Sequence, residues 1–135
     1  MAHQGNDSME TNTPDHAIDY VEFVAIDLGR ARQFYERALG WTFEAWGDSY
    51  LSFSDGRLNG GFAKTEVAER KPEPFAPLVI LFSRDLEGTR QRVRDEGGRV
   101  VRDIFPFPGG RRFHFQDPEG NVLAVWSDRE PLDRV

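Results

Sequence analysis

The sequence predicts an α+β fold built from two tandem βαβββ modules, and two observations carry that prediction. The first is the order of local signals: a strand, a helix and three strands, a proline-rich break, and then the same order again. The second is a repeat at a constant offset of 58 residues, in which Asp27-Leu28 falls on Asp85-Leu86, Arg32-Gln33 on Arg90-Gln91, and Gly40 on Gly98. The phrase FSDG at 53–56 is echoed by FQDPEG at 115–120 with slightly different spacing. One such match is within reach of chance, whereas an ordered set argues for a repeated module.

The elements follow in chain order. Residues 1–16 are polar, hold His3 and His16, offer almost nothing to bury, and read as a flexible tail. Module one, 17–66, opens with AIDYVEFVAI, rich in β-branched and aromatic residues and therefore a strand. Asp27 can then cap a helix whose apolar residues Leu28, Ala31, Phe34, Tyr35, Ala38 and Leu39 share one face, with Gly40 as its left-handed stop. TFEAW (42–46), SYLSFS (49–54) and GGFAKTE (60–66) have strand character and are separated by Gly-Asp and Asp-Gly turn chemistry. Residues 67–77, with three prolines near their end, form a linker. Module two, 78–127, runs from PLVILFS through a helix capped by Asp85 and stopped at Gly97-Gly98. Strands at RVVRDIF, RRFHFQD and NVLAVWS complete it, and 128–135 are a C-terminal tail.

Composition narrows the functional classes. A chain of 135 residues, 39% apolar and 13% aromatic, suits one domain with a substantial core. No apolar run approaches the roughly 20 residues that span a bilayer, so no membrane partner is expected and the location is read as cytoplasmic. Zero cysteines exclude disulfides, thiolate metal sites and a cysteine nucleophile. The net charge of -6 makes nucleic acid a poor partner, and half of it lies in the first 16 residues at Asp7, Glu10 and Asp15. Arg90, Arg92, Arg94, Arg99 and Arg102 alternate with Glu87, Asp95 and Glu96, the pattern of a solvated helix face.

Strand alternation gives each side chain a direction. If Asp117 pairs with Asn121 across the DPEGN turn, Phe115 lies opposite Leu123 and Phe113 opposite Val125, a face apolar enough to pack on a helix. The other face then pairs Gln116 with Val122, His114 with Ala124, and Arg112 with Trp126. In strand one, Val21, Phe23 and Ala25 share a side, while Tyr20 and Glu22 point the other way, and the repeat offset matches these two with Leu78 and Ile80. Asp117, Pro118, Gly120 and Asn121 are turn residues, with the job of reversing the chain.

The helix DLGRARQFYERALGW (27–41), its weaker copy DLEGTRQRVRDEGG and the segment FHFQDPEGNVLAV together resemble the vicinal oxygen chelate superfamily of glyoxalases, bleomycin-resistance proteins and extradiol dioxygenases. The resemblance covers 17–127. It implies mixed sheets curving around a cleft, the glyoxalase/bleomycin-resistance fold, commonly in a homodimer. Metal-using members carry ligands at the positions of Tyr20, Leu78 and Ala124, with a fourth within GGFAK (60–64). None of these offers an imidazole or carboxylate, so on the donor count no cofactor is expected, a divalent metal included.

The leading reading is therefore a glyoxalase/bleomycin-resistance-like protein that holds a small organic molecule against Tyr20, Leu78, Ile80, Arg112, Ala124 and Trp126 without a metal. The bleomycin-resistance members, which sequester a cationic drug, are the analogue that the resemblance suggests. One alternative is a lyase or isomerase using Glu22 and His114 as acid and base, with a metal-dependent dioxygenase behind it. A further alternative is a partner-binding module with an inert cleft.

Overall fold

In the computed structural model, residues Asp15, 18–66 and 77–132 are described. Residues 1–14, 16 and 17, most of the linker and the last three residues lie outside that set. Module one comprises β1 (Tyr20–Ala25), α1 (Leu28–Leu39), β2 (Thr42–Trp46), β3 (Tyr50–Ser54) and β4 (Asn59–Lys64). Module two comprises β5 (Val79–Phe82), α2 (Leu86–Asp95), β6 (Arg99–Phe107), β7 (Gly110–Gln116) and β8 (Val122–Ser127). Each module folds into a mixed four-stranded sheet, in the order β1-β4-β3-β2 (sheet one) and β5-β8-β7-β6 (sheet two). The first strand of each module runs parallel to its last, and the remaining pairs are antiparallel.

Local chemistry sets the helices. The Asp27 carboxylate accepts from the Arg30 amide at 3.0 Å, and the Asp85 carboxylate from the Gly88 amide at 3.1 Å, so each helix has one of its free N-terminal donors satisfied. Gly40, with φ of 77°, closes α1 by donating to the Glu36 carbonyl. The buried stripe Ala31, Phe34, Tyr35 and Ala38 of α1 lies against Phe62, Trp41 and Phe115, and Leu86 and Val93 of α2 join the same core. Phe113, Phe115, Leu123 and Val125 are all buried in that core, as the alternation argument requires, and the β7–β8 register reproduces every expected pair.

The modules join through α1 packing on α2 and through the turn after β7. Glu119 reaches from that turn to the Ile26 and Asp27 amides at 2.7 and 3.0 Å and pairs with Arg30. Asn121 donates its side-chain amide to the Val24 carbonyl at 3.0 Å. Asp117 accepts from the Glu119 and Asn121 amides and from the Tyr35 hydroxyl, so the DPEGN segment is structural, as its sequence indicates. Burial pushes the Asp117 carboxyl up, while these donors pull the other way. Among the described residues no helix is long and apolar enough to cross a membrane.

Several boundaries differ from the sequence expectation. β6 continues through Pro106 to Phe107, beyond the expected end at Phe105, because these two residues still pair with Arg111 and Gly110, and two irregularities earlier in the strand break its period of two. β1 and β5 are shorter than their apolar runs, since each pairs only where its parallel partner reaches. The arginine series does not share one fate. Arg90 and Arg94 pair with Asp103, Arg92 donates to the Ala38 carbonyl, Arg99 donates to Gln116, and Arg102 leaves the helix surroundings for the open face of sheet two.

Candidate functional site

The helices cover one face of each sheet, and the other face stays open. On sheet one that face carries Tyr20, Glu22, Val24 and their neighbours across the ladder, including Gly61, Ala63, Tyr50, Ser52 and Trp46. Gly61 has no side chain, so the Tyr50 ring lies over it: a Cβ there would sit 2.1 Å from the phenol oxygen. Tyr50 in that position shares a 2.7 Å hydrogen bond with the Tyr20 hydroxyl and donates to Glu22 Oε1 at 2.9 Å. Burial first, and then these two bonds, push the Tyr50 hydroxyl well above the ordinary phenol range. Tyr50 is therefore a neutral donor at any physiological pH, and the three side chains form a short polar chain with Glu22 at its exposed end.

The open face of sheet two is aromatic and basic. Arg112 lies directly across from Trp126, and His114 from Ala124, while Ile80 pairs with Ala124 and Phe82 with Trp126 on the other side of β8. The bulged strand β6 adds Phe105 and Phe107. Rings cluster across this face, with Phe82 to Trp126 at 5.3 Å, Phe107 to Trp126 at 6.2 Å and Phe105 to His114 at 5.8 Å. The Arg102 guanidinium sits 3.6 Å from the Phe105 ring centre, and that of Arg112 lies 5.4 Å from Phe105 and 5.6 Å from Phe107. Arg112 therefore stacks on β6 side chains, with Phe105 its ladder partner on one side and Trp126 on the other. Two buried polar atoms here have no hydrogen-bond partner, Arg112 Nε and His114 Nε2. Burial, then the charges of Arg112 and Arg102, lower the His114 pKa from the usual imidazole value, so the ring is neutral near pH 7.

Comparison with known proteins places this geometry in a family. A model of the Glyoxalase/Bleomycin resistance protein/Dioxygenase superfamily matches residues 17–125. The chain belongs to this superfamily. It is 29% identical over 120 residues to the anthracycline biosynthesis protein DauV of Streptomyces sp. (strain C5), covering 84% of the chain and 42% of that relative. The chain thus spans about two fifths of the curated relative's length. Among solved structures, it resembles a glyoxalase-related enzyme from Fulvimarina pelagi with a TM-score of 0.69 and 15% identity, covering 83% of this chain and 88% of that one. It also resembles a lactoylglutathione lyase from Agrobacterium tumefaciens, with a TM-score of 0.63 and 19% identity over 85% and 96% of the two chains. At these identities the structural likeness concerns the fold.

The superfamily's metal positions can now be tested against the side chains present. Gly61 stands opposite Glu22 in β1 as Ala124 stands opposite Ile80 in β5, which narrows the fourth position within GGFAK to Gly61. The set is then Tyr20, Gly61, Leu78 and Ala124. Three of the four offer no donor atom on a side chain, and the Tyr50 ring covers Gly61. Among the described residues no three His, Asp or Glu side chains gather as a metal would need. These residues do not fit the family's divalent ion.

Glu22 and His114 lie on different sheets, and no hydrogen bond joins them: Glu22 accepts from Tyr50, while His114 Nε2 has no partner. Tyr20, Ile80, Arg112, Ala124 and Trp126 fall on the sheet faces read from alternation, but Ala124 is fully buried there and Leu78 lies just before β5. Tyr50, Phe105 and Phe107 were not legible as site residues. Tyr50 reaches the site only because Gly61 is bare, and the two phenylalanines reach it through irregular pairing.

His114 supplies a pH test. Its folded pKa lies below the reference value of 6.5, so the folded state binds that proton less readily than the unfolded chain. The contribution is fully present above 6.5 and is lost as pH falls through the folded value. In urea titrations at pH 8 and pH 5, His114→Asn is expected to lose less stability on acidification than the wild type. An imidazole titrating at or above 6.5 by NMR would contradict the assigned burial.

Proposed function

We propose that the protein binds a small organic molecule on these open faces without the superfamily's divalent metal. The observation that carries this reading is the pairing of Arg112 Nε and His114 Nε2, two buried polar atoms without partners, in the middle of an aromatic bed. Buried polar atoms are mostly satisfied, so two such atoms close together on one face support the reception of a hydrogen-bonding group there, whereas the third, Arg111 Nε, belongs to an arginine already paired with Glu87. The name of the relative from Streptomyces, tied to anthracycline biosynthesis, supports a role connected with secondary metabolites. Acid and base catalysis by Glu22 and His114 has less support, because each already stands in separate surroundings.

The proposal includes a homodimer in the cytoplasm. β1 and β5 are both sheet edges, and such edges invite pairing with a second copy. Sedimentation equilibrium tests this part, and a monomer at every concentration would remove it.

Two measurements test the binding reading. A thermal-shift screen of aromatic metabolites is expected to yield ligands that raise the melting temperature with concentration, about 2.7 kcal/mol of stabilisation at a hundred times Kd. Elemental analysis of untagged protein is expected to find less than stoichiometric divalent metal. A tightly held equivalent of zinc, nickel or iron would overturn the metal-free reading, and a blank screen would favour an inert partner-binding module.

A further inference from the structure

The chemistry of the sheet-two face specifies its ligand further than the term small molecule does, and this step rests on the binding reading above. Arg102 and Arg112 both place their guanidinium groups on the Phe105 ring, from 3.6 and 5.4 Å. Neither takes part in any of the ion pairs formed among the described residues. Two like charges sharing one ring repel each other, and the aromatic face offsets only part of that cost. The Nε–H of Arg112 is a donor that can never become an acceptor, and it is buried with nothing to receive it. His114, opposite Arg102 across the ladder and two residues along β7 from Arg112, contributes no charge to oppose them.

We infer that the ligand is a planar aromatic acid, whose ring lies among Phe82, Phe107 and Trp126 and whose anionic oxygen accepts from Arg112. A neutral aromatic would fill the ring positions but leave the half-buried Arg112 guanidinium without a counter-charge, Arg102 being solvated. A cationic aromatic would add a third positive charge. The reading thus departs from the cationic cargo that a bleomycin-resistance analogy suggests. It also gives His114 Nε2 a task, since a neutral imidazole beside the arginine can exchange a hydrogen bond with an adjacent hydroxyl. Ortho-hydroxy aromatic acids present both groups side by side.

The probe is 3-hydroxy-2-naphthoate, compared by isothermal titration calorimetry with 2-naphthol and 2-naphthylmethylammonium, and with inorganic phosphate for the charge alone. The naphthoate is expected to bind at least about tenfold tighter than either naphthalene analogue, the value of one charge-assisted hydrogen bond. Arg112→Met, whose terminal methyl reaches as far as the Nε it replaces, should weaken the naphthoate about ten- to hundredfold while leaving naphthol unchanged. Arg112→Lys should recover only part of the loss, because a lysine has no Nε–H fork at that depth. Thermal unfolding of each variant separates lost binding from lost structure.

The failures separate. Naphthol or the ammonium binding as tightly as the naphthoate, with no effect of Arg112→Met, overturns the aromatic-acid inference and leaves small-molecule binding intact. Phosphate binding as tightly as the naphthoate overturns the aromatic part. No heat from any probe up to about 5 mM overturns the aromatic-acid inference, while the thermal-shift screen decides the binding reading separately. If Arg112→Met instead dissociates a dimer that the naphthoate leaves untouched, the counter-charge comes from a second copy and the ligand assignment fails.

Discussion

Replacing Glu119 with Ala is expected to cost the fold about 3 kcal/mol, the scale of breaking a buried, hydrogen-bonded charge network from one side. The reason lies in what one carboxylate does. Its Oε1 accepts from two successive backbone amides, Ile26 and Asp27, at the point where β1 passes into α1. Its Oε2 accepts from Arg30 Nε on the first turn of that helix. The Glu119 side chain is fully buried, whereas that of Arg30 is 53% exposed. Truncating Glu119 therefore leaves two amides unsatisfied away from solvent, and truncating Arg30 leaves a position that water can enter. Arg30→Ala should cost only about 1 kcal/mol, the upper end for a largely exposed pair. Glu119→Gln, which keeps one acceptor oxygen for the amides, should fall between them. Urea unfolding with a constant m-value reads all three. A Glu119→Ala loss no larger than that of Arg30→Ala would show that the amides find other partners and that the turn does not staple the modules.

That staple also shows where the sequence stops being legible. A Glu in the second half of a turn reads as solvated, because nothing local reveals that the start of another module, more than ninety residues earlier in the chain, comes to rest against it. The helices and the last hairpin were legible for the opposite reason. Their determinants are close in sequence: Asp27 and Gly40 at the ends of one apolar stripe, and a five-residue turn that fixes every β7–β8 pair. The parallel pairing of β1 with β4 has no such local cause, yet it brings Glu22 beside Gly61 and so opens the space that Tyr50 fills. Half of the candidate site depends on that one contact. The Phe105 and Phe107 contribution fails to show for a third reason, since a bulged strand has no constant period from which to read a face.

The two adjacent glycines of β4 should answer differently to the same substitution. A Cβ at Gly60 would lie 2.3 Å from the Val21 carbonyl oxygen and 2.4 Å from Cζ of Phe53. The first of these atoms is backbone of the neighbouring strand, held by the parallel ladder, and the second belongs to a ring packed on Trp41 and Phe62. Neither can retreat without moving the core, so Gly60→Ala is expected to cost about 3 kcal/mol, at the upper end for overpacking. The three atoms nearest a Cβ at Gly61 all belong to the Tyr50 side chain, the closest being the phenol oxygen at 2.1 Å. That ring stands on the open face and can swing toward solvent, so Gly61→Ala should cost about 1 kcal/mol, within the lower range for an added methyl group. The second substitution carries a different penalty: with Tyr50 displaced, Tyr20 and Glu22 lose the hydroxyl that links them. Denaturant titration of both variants, with the tyrosine hydroxyl signals followed by NMR, separates the two effects. Equal stability losses at the two positions would mean that β4 can shift against β1 as a unit, and that the depth of the site on sheet one is not set by the absence of a side chain at Gly61.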